Sequence, residues 1–161
     1  MLLPQDILPL LLLFVEQEDA PLHQAQLASR MNWVPSALHR SLLRLHKSQL
    51  WNKDSNHINR HRSIQFLRYG LPHVFPAEIQ QLCRGLSTAQ LPDISQPQIP
   101  YVWPDETSNI MGMGVKPLDS GFVYLAKHEP DMKIWLDIIE VFRLGRNREV
   151  TLAVKMLEEI A

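Results

Sequence analysis

Between Ser36 and Lys47 the chain carries Ser36, His39, Arg40, Arg44 and Lys47, spaced so that they fall mostly on one side of a helix. Leu38, Leu42 and Leu45 recur at i, i+4 and i+7 and make the apolar stripe of the same helix. An arginine fork can satisfy two acceptors at once, on a guanine edge or a phosphate, whereas lysine supplies a point charge. Ser36, His39 and Arg40 lie in the N-terminal half, the part of a docked helix that meets base edges. Arg44 and Lys47 lie where phosphates run. A second basic group, Arg60, Arg62 and Arg68, occupies NRHRSIQFLRY (Asn59–Tyr69). At least one of Arg60 and Arg62 is expected to hold a sugar–phosphate backbone beside the first group.

These cations need a scaffold. PLHQAQLASRMNWVPSALHRSLLRLHKSQL (Pro21–Leu50) reads as two short helices joined by a tight turn at Asn32-Trp33. Leu22, Ala25, Leu27, Ala28 and Met31 give the apolar side of the first. Pro35 suits the first position of the second, where its missing N–H is no loss. This is the shape of a helix-turn-helix, whose second helix enters the DNA major groove. Upstream, LPLLLLFV (Leu8–Val15) reads as a buried helix, with Asp6 as its cap and Pro9 in its first turn. It is too short to span a bilayer. It has no basic residues before it and Glu16, Glu18 and Asp19 after it, so a signal peptide is not expected.

The 161 residues carry a net charge of only −1, but the charge is unevenly placed. Residues 1–33 hold net −3, residues 34–90 net +6 and residues 91–161 net −4. A basic block around one helix is the footprint of a phosphate-binding surface, and the acidic ends argue against a general polyanion coat. A single cysteine, Cys83, excludes an internal disulfide framework and suits a reducing, cytoplasmic compartment.

After Leu50 the pattern changes. Trp51–His57 reads as a polar connector, where many winged helices place a two-stranded β-wing. Asn59–Tyr69 then reads as a helix that stands in for that wing and ends at Gly70 in a left-handed cap. LPHVFPAE (residues 71–78) reads as a short extended piece and residues 84–100 as a proline-spotted loop. Tyr101–Trp103 and Ile110–Val115 read as strands of a hairpin turning at DETSN, with His73-Val74-Phe75 a candidate third strand. PDMKIWLDIIEVFRLG (Pro130–Gly145) and Arg146–Ile160 make an αα-hairpin. Its stripe of Trp135, Ile138, Ile139 and Phe142, with Leu152, Val154 and Leu157, has to be hidden either by packing within the chain on the sheet around Trp103 or by a two-fold interface with a second copy, and the two-fold interface is the favoured expectation.

Enzymatic readings are weaker. His57 and His61 are four apart, but no Glu stands between them in an HExxH arrangement and no acidic ligand follows. Gly112 and Gly114 are too little for a nucleotide loop and fit strands that approach closely. Neither a nucleophile elbow nor a carboxylate pair is visible. The expectation is a non-enzyme with no cofactor and no metal.

Several stretches together carry a resemblance: VPSALHRSLLRL (Val34–Leu45), NRHRSIQFLRYGLPHVFPAE (Asn59–Glu78), RGLSTA (Arg84–Ala89), YVWP (Tyr101–Pro104), the glycine-bearing strand before Lys116-Pro117-Leu118, and LGRNRE near Gly145. The chain resembles the winged helix-turn-helix superfamily, including the MarR-like regulators, and within it a group of bacterial proteins named mainly as transcriptional regulators. Val34 departs from that pattern, standing where such proteins often have a serine cap. The resemblance implies a mainly α fold with a small antiparallel β-sheet (α+β), a winged helix-turn-helix with a C-terminal helical hairpin. Residues 1–70 would form the DNA-binding domain and residues 71–161 a sheet and helical region packed with it and dimerising. The expected function is that of a sequence-specific, homodimeric transcriptional repressor acting on double-stranded DNA, with no membrane partner. The alternatives are an antitoxin-like or defence-associated autoregulator that holds a protein partner, and a winged-helix protein–protein module using Trp33 and Trp51.

Overall fold

The computed structural model describes residues 1–16 and 23–160. A 3-10 turn, Pro4–Asp6, leads into α1 (Ile7–Val15), where Ile7, Leu8, Leu10, Leu11 and Leu12 are at most 1% exposed. A helix that is apolar all round has to be covered all round. Asp6 precedes α1, but its side chain does not cap it. Instead Asp6 Oδ2 accepts the Leu3 N–H at 2.8 Å, and the carboxylate also accepts from Ser41 and Arg44.

α2 (Gln24–Arg30) and α3 (Pro35–Lys47) are the two expected helices. Pro21 and Leu22 lie outside the described residues. At the turn Asn32 has φ 58°, a left-handed conformation that asparagine tolerates better than most residues. The Trp33 N–H donates to the Ala28 carbonyl at 2.8 Å. Leu27, Ala28, Met31, Leu38, Leu42 and Leu45 are all buried, as their periodicity requires, while Ala25 is exposed. Val34 precedes Pro35 without a side-chain cap and is 62% exposed.

The expected polar connector is a hairpin. β1 (Trp51–Asn52) and β2 (His57–Ile58) pair antiparallel, with Trp51 opposite Ile58. Asn52 Oδ1 accepts the N–H groups of Asp54 and Ser55 at 2.8 and 3.1 Å, and Asn56 takes φ 55°. Side-chain bonding of this kind makes the turn, while two residues per strand are too few to show alternation. α4 (Arg60–Gln65) follows, capped by Asn59, whose Oδ1 accepts the Arg62 N–H at 3.0 Å. It does not end at Gly70. A π turn, Phe66–Gly70, carries it into α5 (Leu71–Val74), so His73 and Val74 are helical, not extended. Gly70 has φ −99°, and a Cβ there would lie 2.8 Å from the Phe66 ring, which would have to shift to admit it.

The sheet is built differently from the expected hairpin. Its longest strand, β3 (Ile79–Thr88), takes in residues 84–88, expected as loop, and residues 79–83, for which the sequence pattern offers no element. β4 (Tyr101–Pro104) and β5 (Met111–Val115) each pair antiparallel with β3, and pair with one another in parallel, Tyr101 beside Met113. Three strands closing on themselves leave no room for side chains at the crossings. A Cβ at Gly85 would sit 2.2 Å from the Trp103 carbonyl oxygen, and one at Gly112 2.4 Å from that of Pro100.

α6 (Ser120–His128), which sequence periodicity did not reveal, is capped by Asp119. α7 (Lys133–Leu144) and α8 (Asn147–Glu158) form the expected helical hairpin. Ile138, Ile139 and Phe142 are at most 2% exposed, because α7 packs on α1, α5 and β3 of its own chain. Most of the stripe expected at a two-fold interface is therefore covered within the chain, while Trp135 and Leu152 stay half-buried. One apolar core runs from Ile7 to Leu157 and joins the helix-turn-helix segment to the tail. Arg30 forks onto Glu129 at 2.9 and 3.0 Å, and the Trp33 indole donates to Asp119 at 2.9 Å, fixing α2 and its turn to the two ends of α6.

Candidate nucleic-acid interface

α3 lies across the core with one face in and one face out. Leu38, Ser41, Leu42 and Leu45 are buried, and Ser36, His39, Arg40, Leu43 and Lys47 are exposed. The helix contains no acid, so its outer face offers cations and hydrogen-bonding groups without internal neutralisation. Ser36, His39, Arg40 and Lys47 thus stand together on one solvent face, as their spacing requires.

Arg44 is placed otherwise. Its Nε and Nη2 donate to the two oxygens of Asp6 at 2.8 Å each, and Ser41 Oγ donates to Asp6 Oδ1 at 2.6 Å. Asp6 is fully buried, and its hydrogen bonds and charge hold the Arg44 pKa above the ordinary arginine range. Arg44, expected to meet a phosphate, thus has its guanidinium on Asp6 and fixes α3 to the start of α1.

Beside α3 the β1–β2 hairpin and α4 add polar groups. Arg62 is exposed, and its guanidinium donates to Gln49 Oε1 just beyond the end of α3. Arg60 is half-buried, its guanidinium 4.8 Å above the Phe14 ring. Arg68 lies 5.1 Å from the Tyr69 ring. A cleft of about 640 Å³ opens between the end of α3, the hairpin and the start of α4. No residue pattern points to this cleft, since the Asn-rich stretch from Asn52 to Asn59 reads locally as turn and cap chemistry. His57 lies on β2 and His61 on α4, so the two do not share a helix face.

Charge is also buried inside the tail. Asp137 Oδ1 accepts from Lys133 Nζ at 2.5 Å and from Thr88 Oγ1 at 3.1 Å, and burial raises its pKa. Glu140 receives Arg143 Nη1 at 2.6 Å, while its Oε2 has no partner; burial pushes its pKa up to about 7.

No cluster of three or more His, Cys, Asp or Glu able to hold a metal ion occurs among the described residues, and no helix among them is long and apolar enough to cross a membrane. No family model matches the chain, and no curated protein or solved structure matches it.

Proposed function

We propose that this chain is a double-stranded DNA-binding protein of winged helix-turn-helix type that regulates transcription. The observation that carries the reading is the outer face of α3, where Ser36, His39, Arg40 and Lys47 are exposed on an acid-free helix whose other face is packed into the core. The β1–β2 hairpin follows α3 where a wing would stand, though each strand is only two residues long. Trp33 and Trp51 do not favour the protein-module alternative, since Trp33 is bonded to Asp119 and Trp51 is 5% exposed.

A single helix reads only a few base pairs, so a homodimer on a palindromic site is the simplest arrangement. Most of the tail stripe is buried within the chain and leaves little apolar surface for it. Apolar surface for a second copy lies on the β3–β5 ribbon, where Leu82 and Met111 are each 53% exposed and the strand register puts them on the same face. The deciding experiment is selection of bound duplexes from a random pool, followed by titration of the selected duplex at several salt concentrations. Enrichment of a motif and affinity that falls steeply with salt support the reading. Absence of salt-sensitive binding to any duplex overturns it.

A further inference from the structure

We propose that the cleft between the end of α3, the β1–β2 hairpin and the start of α4 is a binding site for a phosphoryl group. The proposal stands on the donors of the cleft and does not require α3 to read DNA. The lining consists of His46, Gln49, Trp51, Asn52, His57, Ile58, Asn59, Arg60 and Arg62, with no carboxylate among them.

The internal hydrogen bonds mostly use up acceptors and leave donors; the exception is His57, whose Nδ1–H donates to the Ser55 carbonyl at 2.6 Å. His46 Nδ1 accepts the Lys53 N–H at 3.2 Å, so the neutral ring carries its proton on Nε2 and can donate there. Asn52 Oδ1 is taken by the turn and Asn59 Oδ1 by the Arg62 N–H, leaving each amide its NH₂. Gln49 Oε1 is taken by the Arg62 guanidinium, which it holds at the cleft with further N–H groups to give. Trp51 is 5% exposed and its indole N–H has no acceptor, the condition a buried donor avoids unless something else supplies one. A site rich in N–H donors, with a guanidinium and the His46 imidazole, suits a compact anion with several acceptor oxygens, which is what a phosphoryl group is. That group can come from a DNA backbone or from free phosphate.

The test uses the full chain labelled with ¹⁵N. Inorganic phosphate, and separately a non-specific DNA duplex, are titrated while the Trp51 indole N–H, assigned through Trp51→Phe, is followed by NMR. Saturable movement with inorganic phosphate, weakened roughly tenfold by Arg62→Gln, supports the site with free phosphate as its ligand. Movement with the duplex alone, weakened in the same variant, supports it with the DNA backbone as the source. A Trp51 signal that moves with neither probe, or that moves identically in Arg62→Gln, overturns it. Arg62 is exposed, so the variant is expected to fold; should it not, His46→Gln replaces it, and the titration of the unaltered chain still decides. Arg40→Ala, which probes the α3 face, leaves this signal unchanged, so the two readings fail separately.

Discussion

Asp6 and Arg44 are joined across 38 positions by two bonds of 2.8 Å, with the carboxylate fully buried and the arginine side chain 22% exposed. The pair sets α3 against the entry to α1, and Ser41 completes it. Removing one partner strands the other, which for a buried pair costs about 3–5 kcal/mol. Asp6→Ala is therefore expected to lower the urea midpoint sharply, and Arg44→Ala to do so by a comparable amount. Should Arg44→Ala leave stability untouched and weaken duplex binding as Lys47→Ala does, Arg44 is a phosphate contact after all.

The α3 face makes a separate prediction. Arg40→Ala is expected to cost about 1–3 kcal/mol on the selected duplex and to relax sequence preference, as loss of a base-edge contact does. Lys47→Ala is expected to weaken all duplexes alike. Equal affinity and preference before and after Arg40→Ala, measured by fluorescence anisotropy, would remove α3 from the reading.

Arg60 and Arg62 are expected to behave differently from one another. Arg62 is exposed at the cleft, so Arg62→Gln should flatten the slope of log affinity against log salt by about 0.9 if it meets one phosphate. Arg60 lies over Phe14, so Arg60→Gln should also lower the melting temperature. An unaltered slope in Arg62→Gln would place that side chain away from the DNA.

Stability should fall as pH rises towards neutrality. Glu140 has a folded pKa raised by burial to about 7, opposed by Arg143 and assisted by Asp137, against 4.5 as its ordinary value. Between those values the folded state binds more protons than the unfolded one, so stability declines by up to roughly 1.4 kcal/mol per pH unit and levels off above the folded pKa. Asp137, raised for the same reason, acts in the same direction. Urea melts of Glu140→Gln across this range should show a shallower slope. A slope equal to that of the unaltered chain would assign the effect elsewhere.

The second copy, if it docks on the β3–β5 ribbon, should be lost when Leu82 is replaced by Glu. Light scattering is expected to give a dimer mass for the unaltered chain and a monomer mass for Leu82→Glu. A monomer in both cases removes the homodimer, and a dimer in both moves the interface off the ribbon.

Local sequence rules determined the helices that carry the candidate face. The stripe of Leu38, Leu42 and Leu45, the proline at Pro35 and the turn at Asn32-Trp33 all depend on neighbours within a few residues, and α2 and α3 follow from them. The tail hairpin was legible for the same reason, as was the close approach of strands at Gly112. What local patterns cannot contain is the partner of each surface. Arg44 has the spacing of a phosphate contact, and only the arrival of Asp6 from 38 residues away turned it inward. The stripe of Ile138, Ile139 and Phe142 has the composition of an interface, and only the packing of α1, α5 and β3 made it core. β3 is exposed on both faces over residues 79–82, so it lacks the alternation that marks a half-buried strand, and its pairing with both β4 and β5 is decided across distance. Hydrophobic periodicity reports that a face must be buried; which element buries it is a property of the whole chain.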